Sequence, residues 1–286
     1  MPIRKNMLLM TMLCFALLPA CARAEGIDTE HMFGFMIGSD VGNVGEREIQ
    51  SSTTGRFSRS GGSYRAIEQE FELEFVPVKN FRVELGSTFA SHNIAGVPGF
   101  ADRRQLSWQG VSVDLRYRFL DRQTAPFGAT FAAEVHASRI DETTAAVVRS
   151  YGTGFALAFD RELIPNVAVA ALNLIYQPEW TRLVGGAAEQ DSTVGAALGL
   201  MVQMRPGFLL GGEARYLRRY EGIGLEELAG QAWFIGPTAY VQLSKRAWLT
   251  AAWSVQAWGR SAGSHAALDL VNFERHQARL IFGVNF

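Results

Sequence analysis

Beyond Cys21 the chain has no cysteine; Cys14 and Cys21 are its only two in 286 residues. A disulfide-stapled fold is therefore excluded for everything that follows. Lysine is nearly missing as well, with Lys5, Lys79 and Lys245 set against 24 arginines. The formal net charge is −1, so the positive excess of a nucleic-acid binder is absent. After residue 24 no apolar run approaches 18 residues, which excludes a transmembrane helix. Yet 48% of the residues are hydrophobic. That is too apolar for a disordered chain, and it leaves open whether those residues fill a core or face lipid.

The first two dozen residues read as an address. Arg4 and Lys5 precede the apolar run Met7 to Leu18, and Ala22-Arg23-Ala24 gives a small-residue cleavage site. This is the pattern of a secretory signal peptide over 1–24. A competing reading places a lipid on Cys21 after Leu18-Pro19-Ala20. Either implies export. Residues 25–286 then hold 24 basic and 28 acidic side chains, net −4.

In that region the apolar period is two. Residues 67–75 place Glu68, Glu70, Glu72 and Glu74 on one parity and Ile67, Phe71, Leu73 and Phe75 on the other. In a strand the two parities point to opposite faces. The pattern recurs at 81–89, 111–119, 127–138, 151–160, 167–178, 193–204, 208–219, 231–244, 247–258 and 272–286. With a first strand near 31–42 the total is twelve. Such strands suit tilted membrane crossings. Short connections (78–80, 121–126, 164–166, 205–207, 244–246) alternate with longer ones (about 43–62, 93–105, 141–150, 179–191, 220–230, 259–271). The first loop is expected to be the longest. Aromatic residues mark both strand ends: Phe75, Phe81, Phe119, Phe127, Phe159, Phe208 and Trp248 near the short turns, and Trp108, Tyr151, Trp180, Trp233 and Trp258 near the long loops. The expected fold is all-β, a closed antiparallel transmembrane β-barrel with short periplasmic turns and longer external loops. Leu106 and Trp108 fall on the wrong parity relative to Val111, which predicts a bulge near Gly110.

The chain ends Leu280-Ile281-Phe282-Gly283-Val284-Asn285-Phe286, apolar on one parity and stopping on an aromatic. This resembles the C-terminal assembly signal of Gram-negative outer-membrane barrels, which implies the outer membrane as location and the barrel-insertion machinery as a partner through Phe286. The stretch from about 190 to 258, including Gly236 to Ser244 and Ala247 to Ala251, resembles the outer-membrane porin or transporter family grouped with the phenol-degradation barrels. That resemblance implies a diffusion channel for small solutes.

If the apolar parity faces lipid, the lumen receives Glu68, Glu70, Glu72, Glu74, Arg82, Glu84, Asp114, Arg116, Arg118, Glu134, Arg215 and Arg279, together with His136, Asp160, Glu213 and Arg275. These are the expected pore-lining residues. They line an open, charge-selective pore, or they pair and plug the interior. Glu74 can face Arg82 across the turn at 78–80. Arg47, Arg56, Arg59 and Arg65 of the first loop offer guanidinium groups to lipopolysaccharide phosphates. His136 and Ser138 share a face, with Glu134, Asp141 or Glu142 near enough to orient the imidazole, so lipid hydrolysis is a further alternative. His31, His265 and His276 lack metal-ligand spacing among themselves. The sequence implies no enzyme, cofactor or metal, and outer-membrane lipid, lipopolysaccharide and small solutes as partners, not nucleic acid.

Overall fold

The computed structural model describes residues 26–286; the signal-peptide and Cys21 readings lie outside them. Twelve antiparallel strands run β1 (Arg47–Phe57), β2 (Ser63–Val78), β3 (Phe81–Ala95), β4 (Arg103–Leu120), β5 (Gly128–Ile140), β6 (Val147–Ile164), β7 (Ala168–Leu183), β8 (Ala188–Arg205), β9 (Phe208–Glu221), β10 (Glu227–Gln242), β11 (Ala247–Ser261) and β12 (His276–Asn285). Each pairs with its neighbours in sequence, and β1 pairs with β12, closing the barrel and leaving no edge. The outward parity forms an apolar belt: Phe71, Leu73, Leu85, Val111, Leu115, Leu174, Leu198 and Leu280 are all exposed. The chain is a bacterial outer-membrane-type β-barrel, with its apolar side chains turned to lipid and its charges turned inward.

The strand count agrees with expectation, but the first strand does not. β1 occupies 47–57, and 31–42 is no strand at all. The reason lies on the lipid face of β1, where Ser51 and Thr53 stand in place of apolar residues. Gln69 of β2 satisfies both, accepting from Thr53 Oγ1 at 2.6 Å and donating to Ser51 Oγ at 2.9 Å. Polar groups hydrogen-bonded to one another are tolerated on such a surface, and they erase the alternation by which the strand could be recognised. The first connection is accordingly only 58–62, and the longest external one is 262–275, between β11 and β12.

The bulge forms as expected: Thr88 pairs with Gly110 and Phe89 with Trp108, leaving Gln109 as the extra residue of β4. Trp108, Tyr151, Trp180, Trp233 and Trp258 are exposed at the loop end. Trp248 departs from its expected place in the opposite girdle. It shares parity with Thr250 and Ser254, is 4% exposed, and points into the lumen.

Candidate functional site: a vestibule floored by an N-terminal strap

Residues 27–42 lie inside the barrel at the short-turn end, as a strap without helix or strand. Its apolar residues Ile27, Met32, Phe33 and Met36 pack against Val169, Ala171, Ala197, Met201 and Leu209, which form small apolar islands on the inner wall. These residues read as a lipid-facing strand because their composition suits either environment.

A strap without secondary structure must have its backbone groups satisfied by something else. The wall does this with side chains. Glu213 accepts from the Gly34 and Phe35 amides at 2.7 and 2.9 Å. Asn173 accepts from the Ile37 amide at 2.8 Å and donates to the Ile37 carbonyl at 2.9 Å. Asp160 accepts from the Ser39 amide at 2.6 Å, and Glu162 from the Ile27 amide at 2.7 Å. Thr250, Arg279 and Thr130 donate to the carbonyls of His31, Gly34 and Ser39. A good part of the inward-facing polar set therefore serves as binding groups for the protein's own N-terminal segment. Close fit also matters: a Cβ on Gly34 would lie 2.2 Å from that of Ala252, so the strap presses on the wall there.

Ion pairs reinforce these contacts. Arg82, 1% exposed, reaches Glu30 of the strap, Glu74 at 3.2 Å and Glu84 at 2.7 Å. The Glu74–Arg82 contact is diagonal, since Glu74 stands directly opposite Glu84 and the register shifts between Phe75 and Val78. Arg118 and Arg122 both grip Asp40, and Arg122 also reaches Asp160 at 3.1 Å. His31 stacks on Trp248 with ring centroids 4.1 Å apart. Burial, with Arg82 and then Arg116 nearby, holds its imidazole well below the usual histidine range, so it is neutral at pH 7.

Above the strap lies a cavity of ≈ 540 Å³. Its floor is Phe35, Met36 and Ile37, the tip of the strap, and its wall rises to Asp141 and Glu142 of the connection between β5 and β6. Of the expected pore-lining set, Glu68, Glu70, Glu72, Glu84, Asp114, Arg116, Glu134, Arg215 and Arg279 line this cavity. Glu74, Arg82 and Arg118 instead lie beneath it, bound to one another or to the strap. Ten carboxylate side chains line the cavity against five arginines, so its interior is acidic. Arg116 is held by Glu84 and Asp114, and Arg56 by Glu68, Glu142 and Glu274. The Arg56 guanidinium holds the Glu142 carboxyl below the usual carboxylate range. No cation stands within ion-pairing distance of Glu70 or Glu72 among the described residues.

Three expectations are corrected. The arginines assigned to the first loop form no outward patch: Arg47 opens β1 at the other end, Arg56 faces the lumen, and Arg59 is buried against Glu274 and the rings of Tyr64 and Phe100. Arg275 is exposed in the connection before β12, outside the lumen. His136 accompanies Glu134, with Nδ1 3.1 Å from Oε1, and Ser138 lines the same cavity. This group faces the aqueous interior and not the lipid rim, so acyl chains in the bilayer do not reach it.

Residues 25–286 match the model of DUF6662, a family of unknown function, and the chain belongs to that family. No curated protein matches it in sequence. Among solved structures it resembles the COG4313 outer membrane channel from Pseudomonas putida F1, at 10% identity and a TM-score of 0.58, covering 87% of this chain and 98% of that one. It also resembles the translocator domain of the autotransporter NalP from Neisseria meningitidis, at 13% identity and a TM-score of 0.50, covering 87% and 91%. These likenesses define the fold.

Proposed function

We propose that the protein is an outer-membrane channel for small cationic or neutral solutes, closed at its periplasmic end by the N-terminal strap. The acidic vestibule over the strap carries this reading. A solute entering from outside meets ten carboxylates and five guanidinium groups, a field that concentrates cations and repels anions. The strap is held at the short-turn end by side-chain contacts and not by the strand ladder, so its displacement opens the path. Lipopolysaccharide and phospholipid surround the belt, and the alternating apolar face of β12 is the part read by the insertion machinery.

Selectivity provides the test. In a planar bilayer under a potassium chloride gradient, current through the wild-type protein is expected to show a cation-selective reversal potential. The double variant Glu70→Gln, Glu72→Gln is expected to move that potential toward zero without reducing barrel stability, because neither carboxylate has a cation to lose. An anion-selective wild-type current would overturn the reading.

The satisfaction of the strap by the wall favours a second reading, a permanently closed structural barrel. It requires that no current be found even when the strap is removed.

A further inference from the structure

We propose that Glu30 and His31 of the strap and Glu48 of β1 bind a divalent transition-metal ion of zinc type, which fastens the strap to the barrel wall. This goes beyond the channel reading and holds whether or not the barrel conducts.

The geometry is the first support. His31 Nε2 lies 3.6 Å from Glu30 Oε2 and 3.6 Å from Glu48 Oε2. A tetrahedral zinc with bonds of about 2.0–2.2 Å holds its ligand atoms about 3.4 Å apart. Each of the two carboxylates therefore stands within a few tenths of an ångström of the separation from the imidazole nitrogen that a shared ion requires. Ligand atoms of Glu30, His31 and Glu74 also lie within 4.8 Å of one another. Both Glu74 oxygens are already engaged, by Arg82 at 3.2 Å and by Gln50 at 2.7 Å, which makes Glu74 a supporting neighbour and leaves the fourth position to water.

The second support is the state of Glu48. It is 1% exposed, its Oε1 has no hydrogen-bond partner, and no guanidinium lies within ion-pairing distance among the described residues. Among the described residues, His31 is the basic side chain within ion-pairing distance of it. A buried carboxylate without a counter-charge is costly, and a dication supplies that charge.

The donors are also held in place from behind, as metal ligands are. Trp248 Nε1 donates to Glu48 Oε2 at 2.8 Å while its ring lies flat against the His31 imidazole, with 12° between the planes. Arg82 engages Glu30 Oε1, and Oε2 is the oxygen turned toward His31. An imidazole with two carboxylates in a dry setting suits zinc. Calcium takes six to eight oxygens, and magnesium keeps its water.

The test uses the barrel of residues 25–286, purified, stripped with EDTA and dialysed against micromolar zinc. Bound metal is measured by inductively coupled plasma mass spectrometry. Stoichiometric zinc is expected in the wild type and in Glu179→Gln, a vestibule control. His31→Ala and Glu48→Gln are expected to lose it while keeping the heat-modifiable gel migration of a folded barrel. Cobalt loading of the wild type is read by its visible absorption and needs no variant: an intense tetrahedral band supports the site, and a weak octahedral spectrum opposes it. Absence of wild-type zinc binding, or full retention by folded His31→Ala, overturns the proposal.

Discussion

Deleting 26–42 is expected to raise single-channel conductance on the order of tenfold or more, since a lumen of twelve strands is wider than side chains alone fill. The floor of the vestibule consists of Phe35, Met36 and Ile37, and removing them joins the cavity to the periplasmic end. The same hypothesis is tested without deletion by locking the strap. A Cβ on Gly128 would stand 2.9 Å from the Ser39 Cβ. A disulfide prefers about 3.5–4.5 Å, so a small outward shift accommodates the pair Ser39→Cys, Gly128→Cys. Because the chain has no cysteine after Cys21, the engineered bond has no competitor within residues 25–286. Oxidised, this variant is expected to pass less current than wild type; reduced, it is expected to recover. Equal currents in the wild-type, deleted and locked proteins would mean that the strap is no gate.

Replacing Arg82 is expected to produce the largest loss of stability of any single substitution here. Arg82→Met keeps much of the volume but leaves Glu30, Glu74 and Glu84 buried without their shared cation. Removing one partner of a buried ionic group costs about 3–5 kcal/mol, because the remaining charges stay desolvated. The change is read as a lower unfolding midpoint in urea, followed by gel mobility. The double variant Arg82→Met, Glu74→Gln is expected to recover part of the loss, and the shortfall from additivity measures the pair. A midpoint unchanged in Arg82→Met would show that these carboxylates are not held by Arg82.

Much of the barrel was legible in the sequence because lipid imposes a simple rule on one face of each strand. Glu68 to Glu74 against Ile67 to Phe75 gives the strand, both faces and the inward charge at once. The Gly110 bulge was legible for the same reason, as a break in parity. What was hidden shares one physical cause: the interior of this barrel is not uniform. The strap carries Met32, Phe33 and Met36 into the lumen, where apolar islands around Val169 and Met201 receive them. Trp248 turns inward to meet His31 and Glu48. Residues 31–42 thus look like a membrane strand, while the true β1, with Ser51 and Thr53 toward lipid, looks like a loop. The Glu30–His31–Glu48 cluster joins residues 17 or 18 positions apart through the fold alone, so spacing gave no sign of it. Glu48 itself lay within what read as the first and longest external loop.

The scarcity of lysine has a consequence for how the lumen responds to acid. Every cation on the vestibule wall is an arginine, apart from the single His136. A guanidinium does not give up its proton in a protein. Raising the pH therefore removes no positive charge from the wall's arginines, while lowering it neutralises carboxylates one after another. The titration of this interior runs in one direction, from an acidic lumen at neutral pH toward one whose arginines are left in the majority.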